Sequence, residues 1–197
     1  MRVEIVEESD GPGAISVFPP GEEFIDLRAN PRAIEQIAFV RAYLPLRNFL
    51  NSVNGAGSVF ASASATTERK QTSDGSIGEA FEFGSRVRLV FAVPSLNFDR
   101  AQYTDLTAGL KELLEHDSTD SVRGVLRVSP CDFPERKRRG FCLNIHLVAR
   151  GDSERQAELR WGLGLARVQQ ALLFRARALG QQIGARDSED LLPSGNK

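Results

Sequence analysis

The sequence predicts an α+β domain in which helices pack on one face of a mainly antiparallel sheet and a long helix ends the fold. Three observations lead to this fold class. Several segments alternate apolar and polar residues with period two, as half-buried strands do. Other segments repeat apolar residues at helical spacing. The predicted elements follow the order hairpin, broken helix, strands, helix, hairpin and long helix, which differs from strict βαβ alternation.

The composition is that of a globular protein in a reducing compartment. The chain has 197 residues, 41% of them apolar and 26% charged, which predicts one domain over residues 1–184 and a disordered tail over residues 185–197. No apolar run is long enough to cross a bilayer, and the charged first residues are unlike a signal peptide. With only Cys131 and Cys142, we expect a cytoplasmic protein with reduced thiols and no membrane association.

The first quarter of the chain predicts a hairpin and a broken helix. Residues 2–8 and 14–18 alternate around a turn sequence at residues 10–13, which is typical of a hairpin. Asn30 before Pro31 is a good helix start. Pro45 should break that helix near Tyr43, because proline removes a backbone donor and clashes with the preceding turn. A second helical piece should then end at Asn54. The apolar stripe of the first piece is Ala33, Ile34, Ile37, Val40 and Leu44.

The middle of the chain predicts strands followed by a helix. Residues 58–67 alternate small and polar side chains, which favours a strand, and Gly84 should divide the next strand or hold a bulge. Asp99 and Gln102 form a capping pair that should open a helix. The clearest strand phase is Phe81, Phe83, Val87, Leu89, Phe91 and Val93, and the helix should bury Tyr103, Leu106, Leu110 and Leu113.

Residues 122–149 predict a second hairpin, with a tip at residues 130–140 that is rich in proline and charge. One phase of each arm is apolar and the other carries most of the reactive side chains. If the helices cover the apolar phase, the opposite sheet face is polar. That face should carry Arg86, Arg88, Arg123, Arg127, Asn144 and His146.

A long helix should follow the second hairpin. Ser153 and Gln156 form a capping box, and Gly184 should end the helix. Because Gly162 and Gly164 each cost about 1 kcal/mol relative to alanine in a helix, they predict a close contact with another element. The buried stripe should comprise Trp161, Leu165, Val168, Leu172, Ala176, Leu179 and Ile183.

From the broken helix to the last helix, the order of these elements resembles that of the type III secretion chaperone fold. The resemblance is one of element order alone and involves no residue motif. It implies the same arrangement as the apolar patterns do, a sheet covered by helices.

Cys131 and Cys142 are a candidate redox pair. If Val128 faces Ile145 and Leu126 faces Leu147 in the hairpin, the two residue numbers of each pair sum to 273, and the cysteines have the same sum. They would then oppose each other on the polar face, close enough for a disulfide. The expected compartment favours the alternative of two reduced thiols.

The basic residues of the hairpin are candidate anion-binding groups. Residues 1–120 carry 11 basic and 18 acidic side chains, whereas residues 121–186 carry 13 basic and 5 acidic ones. A cluster at the tip, backed by two arginines of the first arm, could contact phosphates in a salt-dependent way. The missing aromatic residues argue against a sequence-reading RNA module. The candidate set is Arg123, Arg127, Arg136, Lys137, Arg138 and Arg139.

Catalytic and cofactor motifs are missing from the sequence. It has no Walker loop, dinucleotide fingerprint, zinc spacing or calcium loop, so we expect no cofactor and no metal. His146 could act as an acid or base, because imidazole is the side chain most often used for that role, but no motif supplies it with a nucleophile.

These observations favour a non-enzymatic cytoplasmic module that binds a protein partner through its polar sheet face or its long helix, with a second copy of the chain among the candidate partners. The alternative is binding of nucleic acid or another polyanion through the basic tip. An enzyme with a pocket near His146 is the third hypothesis.

Overall fold

The described strands form one mixed, mostly antiparallel sheet of six strands. The computed structural model describes residues 1–8, 15–17, 25–71, 81–116 and 121–189. The strands are β1 (Arg2–Glu7), β2 (Ile15–Ser16), β3 (Phe60–Gln71), β4 (Phe81–Phe91), β5 (Val122–Phe133) and β6 (Arg138–Gly151), in the order β1-β5-β6-β4-β3 with β2 also beside β5. The helices are α1 (Ala38–Ala42), α2 (Leu44–Asn54), α3 (Arg100–Glu115) and α4 (Glu154–Glu189). No described helix has the length and apolarity needed to cross a membrane.

The predicted first hairpin is wrong. β1 and β2 do not pair with each other, because both run parallel to β5, with Arg2 beside Arg123 and Ile15 beside Cys131. The two-residue β2 could pair with only part of β1, whereas β5 pairs with all six of its residues and leaves Val3 buried next to α3. The turn sequence at residues 10–13 lies outside the described residues.

The broken helix is confirmed, although its first part is tighter than predicted. Residues Pro31–Gln36 form a 3₁₀ helix rather than an α-helix, and Asn30 makes no side-chain cap bond. The chain is extended at Tyr43, where α1 gives way to α2, and Pro45 occupies the first turn of α2. Proline is tolerated there because the first amides of a helix have no intrahelical partner. α2 ends at Asn54, as predicted.

β4 is continuous, so the predicted division or bulge at Gly84 is wrong; the described irregularity lies between Ser62 and Ser64 of β3. A Cβ atom at Gly84 would lie 2.9 Å from the carbonyl oxygen of Leu147. Glycine therefore allows the neighbouring strand to approach closely instead of interrupting the ladder.

α3 begins as predicted and differs from the prediction at its last turn. The Asp99 side chain accepts a hydrogen bond of 3.0 Å from the backbone nitrogen of Ala101. Leu114 is buried, whereas Leu113 is 41% exposed. The buried stripe therefore advances by four residues after Leu110, where a step of three was predicted.

α4 lies along the sheet. Its capping prediction is confirmed, because the backbone N–H of Gln156 donates a hydrogen bond of 3.2 Å to Ser153 Oγ. A Cβ atom at Gly164 would lie 2.7 Å from Val122 Cγ1, which confirms the predicted close contact. The helix continues through Gly184 to Glu189, since one glycine costs too little to end a helix by itself. The predicted disordered tail over residues 185–197 is therefore helical as far as Glu189. Residues 190–197 lie outside the described part, and disorder there stays a prediction.

Helices and sheet share one apolar core. Trp161 of α4 and Tyr103 of α3 pack against Phe83 and Phe91 of β4, with ring centroids 4.7 and 4.8 Å apart. These contacts fall on the phase of the sheet that the sequence predicts as apolar. The opposite phase, which we call the polar face, comprises the even-numbered residues of β1, β4, β6 and β3 from Ser64 onward and the odd-numbered residues of β5.

Candidate functional site

The polar face is built in rows that cross the sheet. One row runs from Arg86 through His146 and Val125 to Glu4, and the next contains Arg88, Asn144 and Arg127. Neighbouring strands lie about 4.8 Å apart, so side chains in a row reach one another. The structure therefore brings the predicted polar residues onto one face; these are Arg86, Arg88, Arg123, Arg127, Asn144 and His146.

Ion pairs cover this face. Each of its four described carboxylates lies beside an arginine, and exposed pairs of this kind contribute little to stability. The result is a charged surface on which no large hydrophobic side chain of the described residues is exposed, which makes it a poor docking surface for an apolar protein segment. The pairs are Glu4 with Arg123, Glu8 with Arg127 and Glu82 with Arg150, each at 2.7 Å, and Glu68 with Arg86 at 3.4 Å.

His146 is paired with Glu68. The imidazole Nε2 lies 2.6 Å from Glu68 Oε1. Burial opposes ionisation of this carboxyl, but the hydrogen bond to His146 and the charge of Arg86 outweigh it, and the pKa of Glu68 is lowered. Among the hydrogen bonds of the described residues, none joins His146 to a hydroxyl or a thiol, so no nucleophile is assembled beside it.

Among the described residues, two depressions of the polar face share His146 and Val125 in their linings. The first has a volume of about 460 Å³ and is lined by Arg2, Lys70, Arg123 and Arg150 as well as Glu68 and Glu82. The second has a volume of about 430 Å³ and includes Glu8, Arg88, Arg127 and Asn144 in its lining. The concavity that the enzyme hypothesis needs is thus present next to His146. The hydroxyls of Ser64, Thr66 and Ser129 line the second depression, but no hydrogen bond of the described residues joins one of them to His146.

Cys131 and Cys142 do not oppose each other directly, so the predicted register is wrong by two residues. Cys131 faces Gly140 and Cys142 faces Ser129. The strands extend further into the tip than predicted, to Phe133 and Arg138, and leave a four-residue loop that a 3₁₀ turn closes, with Lys137 at a φ of 47°. The length of the loop sets the register of a hairpin, and the prolines and charges of the tip did not reveal that length.

Both thiols are free and fully buried. They form a small second core with Val17 and Ala63, and Cys142 Sγ donates a hydrogen bond of 3.6 Å to the Ser129 carbonyl. The hydrogen bond that Cys131 donates to Cys142, together with burial, raises the pKa of Cys131. The same hydrogen bond lowers the pKa of Cys142. Burial of both thiols limits their access to dissolved reagents, and the redox pair stays a prediction.

The six candidate anion-binding residues do not form one site. Arg123 is ten residues from the end of β5, or about 33 Å along the strand from the tip. At the tip, Arg139 pairs with Asp132 at 3.4 Å, and the Arg138 guanidinium lies 4.2 Å from the centre of the Phe98 ring. Among the tip cations, Arg136 and Lys137 have no ion pair with a described residue.

The sequence reasoning missed a second apolar face on α4. Leu159, Leu163 and Phe174 are 62%, 69% and 60% exposed, and Leu173 is also exposed. We call these four residues the outer face, because they project opposite the buried stripe. A hollow of about 370 Å³ lies between Phe174 and Leu113 of α3. The sequence spacing could have revealed this face, because Leu163 and Phe174 are eleven residues, or about three helical turns, apart and so lie on the same side of the helix.

Comparisons assign no function to these surfaces. No protein-family model, curated protein or solved structure matches the chain. Within the described ranges, no group of three or more His, Cys, Asp or Glu side chains is arranged to hold a metal ion. The function must therefore be argued from the surfaces themselves.

Proposed function

We propose that the chain is a non-enzymatic protein-binding module whose outer face on α4 docks an apolar, acid-flanked segment of a partner protein. The main support for this proposal is that Leu159, Leu163 and Phe174 are exposed along one side of the helix. The opposite side of α4 is already buried against the sheet, and no described residue covers these three side chains. A cytoplasmic location, as predicted from the sequence, remains part of the proposal.

The spacing of the outer face suits an elongated partner segment. Leu163 and Phe174 lie about 16 Å apart along the helix, and the hollow beside Phe174 offers a place for one further apolar side chain. Single exposed leucines are common on protein surfaces, whereas several aligned ones typically mark an interaction site. A helix that lies along this face would contact Leu159 and Leu163 in neighbouring turns, and Leu173 and Phe174 about three turns further along.

The charges of α4 favour a different protein, rather than a second copy of the chain, as the partner of the outer face. From Leu159 to Gln181, α4 contains four arginines and no carboxylate. If two copies paired in antiparallel fashion with Leu159 opposite Phe174, Arg155 of each helix would lie next to Arg177 of the other. Like charges in such proximity oppose association. A segment whose apolar residues are flanked by Asp or Glu is therefore the better complement.

The proposal is testable with a synthetic amphipathic peptide that has a leucine stripe flanked by glutamates, and a matched peptide flanked by lysines. Fluorescence anisotropy would give their dissociation constants for the wild type, the double variant Leu163→Ser/Phe174→Ser and the control Phe39→Ser. Phe39 is an exposed aromatic residue of α1, outside the outer face. Analytical ultracentrifugation of the free proteins would report self-association.

We expect a monomer that binds the glutamate peptide more tightly than the lysine peptide, with a loss of about tenfold or more in the double variant and no change in the control. Equal binding by the wild type and the double variant would contradict the proposal. A wild-type dimer that the double variant abolishes would assign the outer face to a second copy instead.

A further inference from the structure

We propose that the first depression of the polar face binds a small organic phosphate. This site is independent of the outer face of α4. It shares Arg123 with the cations predicted from the sequence but includes no residue of the hairpin tip.

The depression exists because its floor is made of small residues. Gly84 and Val148 face each other across β4 and β6, and Val125 lies beside them. A Cβ atom at Gly84 would lie 2.9 Å from the Leu147 carbonyl oxygen and 3.2 Å from Val148 Cγ2. Only glycine fits at this position, so no side chain from residue 84 fills the depression. The volume of about 460 Å³ is in the range of small-molecule sites.

The rim of the depression is more cationic than its own carboxylates can neutralise. Glu82 pairs with Arg150 at 2.7 Å, and Glu68 is engaged with His146 at 2.6 Å. Arg2 and Lys70 also line the depression. The charge of Lys70 helps to lower the pKa of Glu68, but neither cation lies within ion-pair distance of a described carboxylate. An apolar floor below a cationic rim suits a ligand with an apolar body and an anionic group.

Two arginines mark the place for the anionic group. Arg2 of β1 lies directly opposite Arg123 of β5 in the parallel ladder, and like charges in this position destabilise a sheet. Glu4 lies 2.7 Å from Arg123 but forms no ion pair with Arg2. A phosphate between the two guanidinium groups would relieve this repulsion, because arginine forks bind phosphate oxygens in a bidentate manner.

Inorganic phosphate, an organic phosphate and a nucleic-acid backbone share this chemistry, and the experiment separates them. Isothermal titration calorimetry would use inorganic phosphate, phenyl phosphate and a single-stranded oligonucleotide as probes. The double variant Arg2→Gln/Lys70→Gln removes two cations from the depression. The matched control Arg136→Gln/Lys137→Gln removes two cations from the tip, and thermal unfolding would verify that both variants fold.

We expect saturable binding of phenyl phosphate that is tighter than that of inorganic phosphate. The depression variant should weaken it by about tenfold, since two charge-assisted contacts are lost, while the tip variant leaves it unchanged. Absence of saturable phenyl phosphate binding would overturn the proposal, as would equal weakening by both variants. Tighter binding of the oligonucleotide that depends on the tip would overturn it in favour of a polyanion surface.

Discussion

The indole Nε1 of Trp161 donates a hydrogen bond of 2.9 Å to Ser85 Oγ in the centre of the core. This bond joins α4 to β4 and explains a serine in an otherwise apolar phase of the strand. Both residues are fully buried, so neither polar group has water as an alternative partner.

Ser85→Ala should therefore lower the free energy of unfolding by about 1–3 kcal/mol, because it leaves a buried indole N–H without an acceptor. Urea denaturation would measure the change. Ser95→Ala is a suitable control, since Ser95 is exposed. An equally small effect of the two substitutions would show that the hydrogen bond does not anchor α4.

Gly164→Ala should destabilise the protein although alanine favours helices. The new Cβ atom would lie 2.7 Å from Val122 Cγ1 and 3.3 Å from Leu147 Cδ2, and overpacking costs about 1–3 kcal/mol. Gly180→Ala is the matched control in the same helix, because a Cβ atom there meets nothing within 4 Å. It should stabilise by up to about 1 kcal/mol. Changes of the same sign in both variants would contradict the close packing of α4 on the sheet.

Glu68→Gln should reduce stability at neutral pH and have less effect in acid. The pKa of Glu68 is lowered in the folded protein from its ordinary value of 4.5, so its contribution is present above that value and is lost as the pH falls through the folded pKa. The group is partly exposed, and we expect less than about 1 kcal/mol. Unfolding measured from pH 7 to pH 3 tests this.

Glu112→Gln is the control for that series, because Glu112 is exposed and has no ion pair with a described residue. A difference between wild type and Glu68→Gln that stays constant down to pH 3 would argue against ionisation of Glu68 as the cause.

The two buried thiols should resist modification in the folded state. Because Cys131 and Cys142 are fully buried, a thiol reagent should react with them only as fast as the protein opens. Cys131→Ala and Cys142→Ala would report each remaining thiol separately. Rapid labelling of either thiol in native buffer, or loss of both thiols under mild oxidant without unfolding, would instead support a redox pair.

Local periodicity predicted much of this fold, and non-local pairing set its limits. Period-two alternation correctly predicted that Arg86, Arg127 and His146 share one face, because successive side chains of a strand point to opposite faces whatever the strand pairs with. The parallel pairing of β1 with β5 depends on a contact between distant segments, which a turn sequence cannot reveal. The predicted pairing of Cys131 with Cys142 was wrong because the loop at the hairpin tip is shorter than its prolines suggested.

The candidate sites were predicted less well than the faces. The cations around Arg123 and those around Arg136 are neighbours in sequence and far apart along the hairpin. Arg2 and Lys70 approach Arg123 only through strand pairing. The outer face was not predicted, because the buried stripe of α4 was sufficient to predict a helix. Leu163 and Phe174 are not part of that stripe.

If the outer face of α4 docks an acid-flanked apolar segment, the dissociation constant of the glutamate-flanked peptide measures that docking most directly. We predict weakening by about tenfold or more in Leu163→Ser/Phe174→Ser relative to wild type and Phe39→Ser. Equal dissociation constants for all three proteins would contradict the claim.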